Sequence, residues 1–198
     1  VMSRIDALNQ ATKHILRVAS VIGNAFDVSV LRRLLNASPD DARTEARLRY
    51  LVQLDLLDLA VGPSIPTYNF KHGLIQVVAY ESLPFSTRRE LHHRAASYLE
   101  EAHQEHLDPY IEVILHHFSF SQDQPKTLDY CVRAARKATQ AFANKEAVSY
   151  YRHGLATLDK IGGHVAAERS YLFEFVGDCL DVSGQHGDAI KAYSRALS

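Results

Sequence analysis

The segment Tyr68 to Leu83, YNFKHGLIQVVAYESL, constrains what this chain can fold into more than any other. Thr67 to Lys71 reads as a short strand, and a helix begins near His72. Along that helix Leu74, Ile75, Val77, Val78, Ala79, Tyr80 and Leu83 are interrupted only by Gln76, Glu81 and Ser82. A helix apolar on nearly every side requires cover on more than one face. The chain before it is mixed and the chain after it reads as helical. The stretch is therefore expected to be a joint between two modules.

Upstream, Leu8, Thr12, Ile15, Ala19 and Ile22 recur at steps of three and four, which predicts an amphipathic helix ended by Gly23. Asp27 is placed to cap a second helix whose buried stripe is Val30, Leu31, Leu34 and Leu35. Ser38-Pro39 predicts the start of a third helix, with a capping serine before a proline, running to about Leu57. It would bury Leu48, Leu51, Val52 and Leu54. The runs LDLAVG and TYNFK, separated by Gly62, Pro63 and Pro66, predict a β-hairpin. Three helices followed by a β-hairpin is the winged-helix pattern.

After Pro84 every segment carries helical periodicity. Thr87 and Glu90 have capping-box spacing ahead of Leu91, Ala95, Tyr98, Leu99 and Ala102. Asp108-Pro109 opens a helix burying Ile111, Ile114, Leu115 and Phe118. Helices are then predicted over Lys126 to Phe142, Lys145 to Ile161, Ala167 to Ser183 and His186 to Leu197. The last four repeat, because Ala147, Tyr151, Gly154 and Leu155 recur 42 positions on as Ala189, Tyr193, Ala196 and Leu197. The insertion is the linker KIGGH. Ala135 and Gly177 supply a small residue where helices approach closely. Phe173, Gly177, Ala189 and Tyr193 make this similar to tetratricopeptide repeats, with Cys131 and Ala135 marking the earlier copy as degenerate. Such helix pairs bury their faces by stacking on neighbours.

Charge excludes several functions. Lysine and arginine total 22 against 23 acids, and no third of the chain is a polybasic arm. Arg43, Arg47 and Arg49 on the third helix share their segment with Asp40, Asp41, Glu45, Asp55 and Asp58. That balance disfavours DNA as a partner, since phosphate neutralisation supplies much of such affinity. No apolar run is long enough to span a bilayer, and no signal-peptide core is present. Cys131 and Cys179 sit in apolar helical patterns and read as buried thiols of a cytoplasmic protein rather than a disulfide framework.

The chain carries none of the common nucleotide-binding, metalloprotease, serine-hydrolase or dithiol motifs, so no catalytic residue is assigned. Among eleven histidines, the pairs His92-His93 and His116-His117 are adjacent and point about 100° apart on a helix. His103 and His106 lack a further ligand at suitable spacing, and no metal ligand is assigned. His72, at the strand-to-helix junction, is the candidate binding residue. Its imidazole stands beside free backbone amides and the positive end of the helix dipole, where it either donates to a phosphate oxygen, or caps its own helix or packs against the third helix. Tyr150, Tyr151 and Arg152 are candidates for a peptide-binding face, Tyr151 being also placed for the core.

The pieces IDALNQATKHILRVASVIGNAF, YNFKHGLIQVVAYESL and RRELHHRAASYLEE, followed by repeat-like helices, resemble the region after the nucleotide-binding module in signal-transduction ATPases with numerous domains. The resemblance is to the bacterial branch that couples a class III nucleotide cyclase domain to the ATPase and to tetratricopeptide repeats. It implies a winged-helix domain over residues 1–84 with its joint helix over 72–83, a linking helix pair over 85–124, and tetratricopeptide-like repeats over 125–198, the last truncated. The chain would then be part of a longer protein that uses ATP, ADP and magnesium, and would not itself be an enzyme. The winged helix would pack on the nucleotide-binding domain of the same parent. The family's histidine at the start of the last winged-helix segment contacts ADP phosphate, and His72 occupies that place. Plant and animal members favour Met-His-Asp there, whereas this chain has Lys71-His72-Gly73. The helical repeats would bind an unknown protein or peptide. The alternative is part of an ATP-dependent transcriptional regulator with DNA-binding capacity in or next to this region.

Overall fold

The computed structural model describes residues 2–38, 41–60, 67–163 and 165–197. Pro39 and Asp40 of the expected third-helix start, the turn residues Gly62, Pro63 and Pro66, His164 of the linker, and both chain ends lie outside the described residues. The described chain is mainly helical with one small antiparallel sheet. It divides into two compact units, Val1–Ala102 and His103–Ser198.

The first unit begins with α1 (Met2–Asp6) and α2 (Gln10–Ile22). The helix predicted from Leu8 starts two residues later, because the Asn9 side chain accepts the Thr12 amide hydrogen at 2.9 Å and caps α2. Strand β1 (Ala25–Asp27) follows, and Asp27 then caps α3 (Val28–Leu35) by accepting from the Ser29 amide at 2.6 Å. The third helix, α4 (Ala42–Gln53), is capped by Asp41 rather than Ser38, and it stops short of Leu57. Its early end has a local cause. Asp55 takes a left-handed conformation (φ 55°), which Asp tolerates, and the Leu56 amide turns back to the Leu51 carbonyl at 3.0 Å. Leu57 is thereby released into β2 (Leu57–Ala60), which pairs with β3 (Thr67–Phe70).

The expected hairpin is thus part of a three-stranded antiparallel sheet of order β1-β3-β2. In register, Phe26 and Leu59 flank Tyr68 from either side. Phe26 stacks on Tyr68 with centroids 5.9 Å apart, and Leu16, Leu31, Leu48, Leu51 and Ile75 complete the core. Helices α5 (Gly73–Glu81) and α6 (Phe85–Ala102) close the unit. The predicted capping box at Thr87 and Glu90 is not the start of α6. Pro84 breaks α5 from α6, and its carbonyl takes the Arg88 amide at 3.0 Å, so the helix begins two residues earlier.

In the second unit a 3-10 turn at Asp108–Tyr110 leads into α7 (Ile111–Ser121), with Ile111, Ile114, Leu115 and Phe118 buried as the pattern predicts. Then come α8 (Gln124–Gln140), α9 (Asn144–Ile161), α10 (Ala166–Val182) and α11 (His186–Ala196). Each packs on its neighbours in the order of the chain. Gly162 and Gly163 turn the chain after α9 at φ 69° and 79°, a region costly for residues with a Cβ.

The repeated small residues lie where helices touch most closely. Ala135, Ala147 and Tyr151 are fully or almost fully buried, and Tyr151 stacks on Phe175 at 5.5 Å. In the later copy Gly177 lies directly under the Tyr193 ring, whose hydroxyl donates to Asp178 at 2.8 Å.

Candidate functional site

In the first unit the candidate site is the N-terminus of α5. Its orientation is set by one face. Ile75 and Ala79 are buried, and α5 lies on α2. Gln76 donates to the Ser20 carbonyl at 3.1 Å, and Arg17 donates to the Ser82 hydroxyl at 2.8 Å, so polar contacts fix the same face. The opposite stripe is not covered within this unit. Leu74 is 59% exposed and Val77 46% exposed. The expected cover is thus incomplete within this unit, since one apolar stripe of α5 remains exposed. Ile75 and Ala79 face the core with α2, and Tyr80 meets His92 and Arg88 of α6, while the Leu74 and Val77 stripe stays open.

His72 is the N-cap residue of α5, in extended conformation (φ −140°, ψ 133°), and its side chain makes no capping hydrogen bond. Its carbonyl accepts the Ile75 amide at 2.8 Å while the imidazole is exposed. The self-capping role is not adopted. The preceding Lys71 points elsewhere. Its ammonium pairs with Asp58 at 3.0 Å and Asp55 at 3.4 Å, and these contacts, the Asp58 hydrogen bond foremost, raise its pKa. Lys71 therefore fixes the end of the sheet and leaves His72 as the polar side chain at the helix start. What the arrangement offers is one imidazole beside outward amides, with two apolar side chains one turn along.

Glu45 of α4 joins an arginine of its own helix to one of α3. Glu45 pairs with Arg49 at 3.4 Å and with Arg32 at 3.3 Å. His92 is buried with Nε2 3.1 Å from the Tyr80 hydroxyl, whereas its neighbour His93 is exposed, as adjacent helix positions require. His103 stacks on Tyr110 with centroids 3.6 Å apart. Both cysteines are buried and unpaired with each other, and burial pushes the Cys131 thiol up to about 12.

In the second unit a groove of about 460 Å³ runs along α10 between α9 and α11. Its floor is apolar, with Phe173, Val176 and Leu180 of α10 meeting Leu155 of α9 and Ala192 of α11. Its walls are charged. Arg152 and Asp159 come from α9, Arg169 from α10, and Asp188, Lys191 and Arg195 from α11. Arg169 pairs with Asp159 at 2.7 Å and Lys191 with Asp188 at 2.8 Å. The Asp188 carboxyl is held below its ordinary range by the Lys191 hydrogen bond first, with Arg152 adding to it. Arg195 lies over the Phe173 ring at 5.8 Å. Of the three residues predicted for a peptide-binding face, Arg152 lines this groove, while Tyr151 is core and Tyr150 is half-buried.

The remaining groove residues escaped the sequence reading. Their signal was present as charged residues at steps of three, four and seven on α9 and α11. Nothing in the linear order shows that those two stripes face each other.

No known family model matches this chain, and no match was found among curated proteins or solved structures.

Proposed function

We propose that this chain is a regulatory and protein-interaction arm of a larger signal-transduction ATPase. In this reading the first unit is a winged helix that packs on a nucleotide-binding domain elsewhere in the parent protein. The order α2, β1, α3, α4, β2, β3 and the sheet order β1-β3-β2 support it. The observation that carries the reading is the exposed start of α5. There an uncapped histidine stands beside the uncovered pair Leu74 and Val77, a polar donor and an apolar footing on one surface.

A single imidazole and outward amides suit one phosphate oxygen but make no phosphate cradle. ADP would thus be held by the partner domain, with His72 adding one contact. If that contact exists only in the packed state, it biases the two-state equilibrium toward packing, and exchange for ATP releases the arm. The second unit, as a short stack of tetratricopeptide-like helix pairs, supplies a surface for a partner. The DNA-binding alternative gains little from α4, where Glu45 ties Arg49, and where Asp41 and Glu45 share the helix and its cap with three arginines.

The test is His72→Ala in the intact parent. Faster ADP release and raised basal output are expected, and ADP release at the wild-type rate overturns the assignment.

A further inference from the structure

We propose that a second copy of this chain docks at the corner between α8 and α9, with Phe142 of each copy seated in a cleft of the other. The contact lies wholly in the second unit and does not depend on the ATPase reading above.

The backbone singles out Phe142. It follows the C-cap of α8 in the left-handed region (φ 58°). Its amide bonds to the Thr139 carbonyl at 3.0 Å, and that of Ala143 to the Ala138 carbonyl at 2.9 Å. The end of α10 repeats this turn 42 positions on, at the offset of the sequence repeat. There Gly184 has φ 75°, its amide reaches the Asp181 carbonyl at 2.9 Å, and that of Gln185 reaches the Leu180 carbonyl at 2.9 Å. Glycine suits such a helix end because it has no Cβ, whereas a bulky side chain is strained. The other non-glycine residues described in this region of backbone space are Asn36, Asp55 and Gln122, all polar. Phe142 recovers little of that strain by packing, because it is 86% exposed. A strained backbone that presents an aromatic ring to water marks a contact made with another molecule.

The same corner carries a receptor for the ring. Two residues past Phe142 begins the lining of a cleft of about 240 Å³, between the start of α9 and the end of α10. Val148 and Leu180 are buried and form its floor, while Lys145 and Arg152 are exposed at its rim, beside Asn144 and Gln185. An apolar floor under two cations fits an aromatic ring, which rests on the aliphatic side chains and turns its face to a guanidinium or ammonium. Knob and cleft side by side make the corner self-complementary. A twofold axis through it seats both rings at once and closes the pair, leaving no knob to recruit a third copy. An anionic partner would meet the cations yet leave Phe142 in water, whereas a second copy covers both.

Sedimentation velocity of the 198-residue chain over about 1–300 µM tests this, since two inserted rings make a small interface and a weak dimer. A monomer–dimer equilibrium is expected in that range. Phe142→Gly is expected to weaken it at least tenfold while raising Tm by roughly 4–8 °C, because the turn is relieved. Phe142→Tyr keeps the ring and should retain most of the association. Arg152→Ala, at an exposed position, should weaken it severalfold with Tm unchanged. A benzophenone side chain placed at position 142 should crosslink isotope-labelled to unlabelled copies within residues 144–152 or 180–185.

A chain that sediments as a monomer throughout the range overturns the proposal. So does Phe142→Gly that dimerises like the wild type, or that lowers Tm and thereby shows the ring packing within its own chain. Crosslinks confined to one copy, or reaching a different surface of the second, overturn the reciprocal seating.

Discussion

The contact between Gly177 and Tyr193 makes the sharpest test of how the second unit is packed. A Cβ built on Gly177 falls 2.7 Å from Tyr193 Cδ1 and 2.8 Å from Cζ, and closer still to Cε1. No carbon pair tolerates such distances, so in Gly177→Ala either α10 and α11 separate or the ring swings out. Separation is overpacking, which costs about 1–3 kcal/mol. Swinging the ring out forfeits its packing and the 2.8 Å bond to Asp178. Alanine returns up to about 1 kcal/mol of helix propensity relative to glycine. The net expectation is a destabilisation of about 1–2 kcal/mol, with Tm falling by roughly 4–8 °C per kcal/mol for a unit of this size.

Thermal unfolding gives the total, and hydrogen exchange along α11 locates it. The double variant isolates the cause. In a Tyr193→Ala background the clash is gone, so Gly177→Ala becomes neutral or stabilising. Gly177→Ala that leaves Tm unchanged with Tyr193 present would refute the close approach, and with it the packing of α10 on α11.

Gly187, also helical but with nothing within 4 Å of a built Cβ, gives the opposite sign: Gly187→Ala should stabilise by a few tenths to about 1 kcal/mol, read as a higher denaturation midpoint. Asp27→Ala removes the cap on α3 and should cost about 0.5–2 kcal/mol in urea unfolding, with Asp27→Asn closer to wild type. The Asp41 carboxyl lies below its ordinary value, chiefly through the Thr44 hydroxyl at 2.6 Å. A lowered folded pKa stabilises above the unfolded value and is lost as pH falls through the folded one. The stability gap between wild type and Asp41→Asn should therefore be constant near neutrality and close below about pH 4. Cys131, with its thiol raised to about 12 by burial, should resist iodoacetamide at pH 8 in the folded chain and react on unfolding, as peptide mass mapping would record.

Much of the helical content was legible in the sequence, because periodicity and capping are local. Asp27 accepting from Ser29 and the buried stripe Val30, Leu31 and Leu34 need only neighbours in the chain. The same holds for α7 to α11, whose bounds fall within two residues of the pattern. What failed was competition between local signals. Ser38-Pro39 and Thr87 each carry a start signal, but Asp41 and Pro84 stand nearer the first residue with a free amide to satisfy. Strand β1 was hidden because three residues are too few to show alternation, and Ala25–Asp27 becomes a strand only when β3 arrives to bond it.

Of the candidate site, His72 could be placed at a helix start from the sequence, since a strand followed by an apolar run defines that junction. Whether its side chain turned inward to cap α5 could not be read, because that depends on the backbone angles at one residue. Composition along α5 announced an apolar helix, yet the exposure of Leu74 and Val77 is fixed by which side of α5 meets α2. The groove is the extreme case. Each charged stripe on α9 and α11 is periodic in the sequence, but their convergence over Phe173 and Val176 follows from how α10 packs between them. The sequence by itself determined where helices form and which face of each is apolar, because those depend on contacts three and four residues apart. Only the tertiary structure decided which faces stay uncovered and which charges meet, because helix packing brings together residues some forty positions apart.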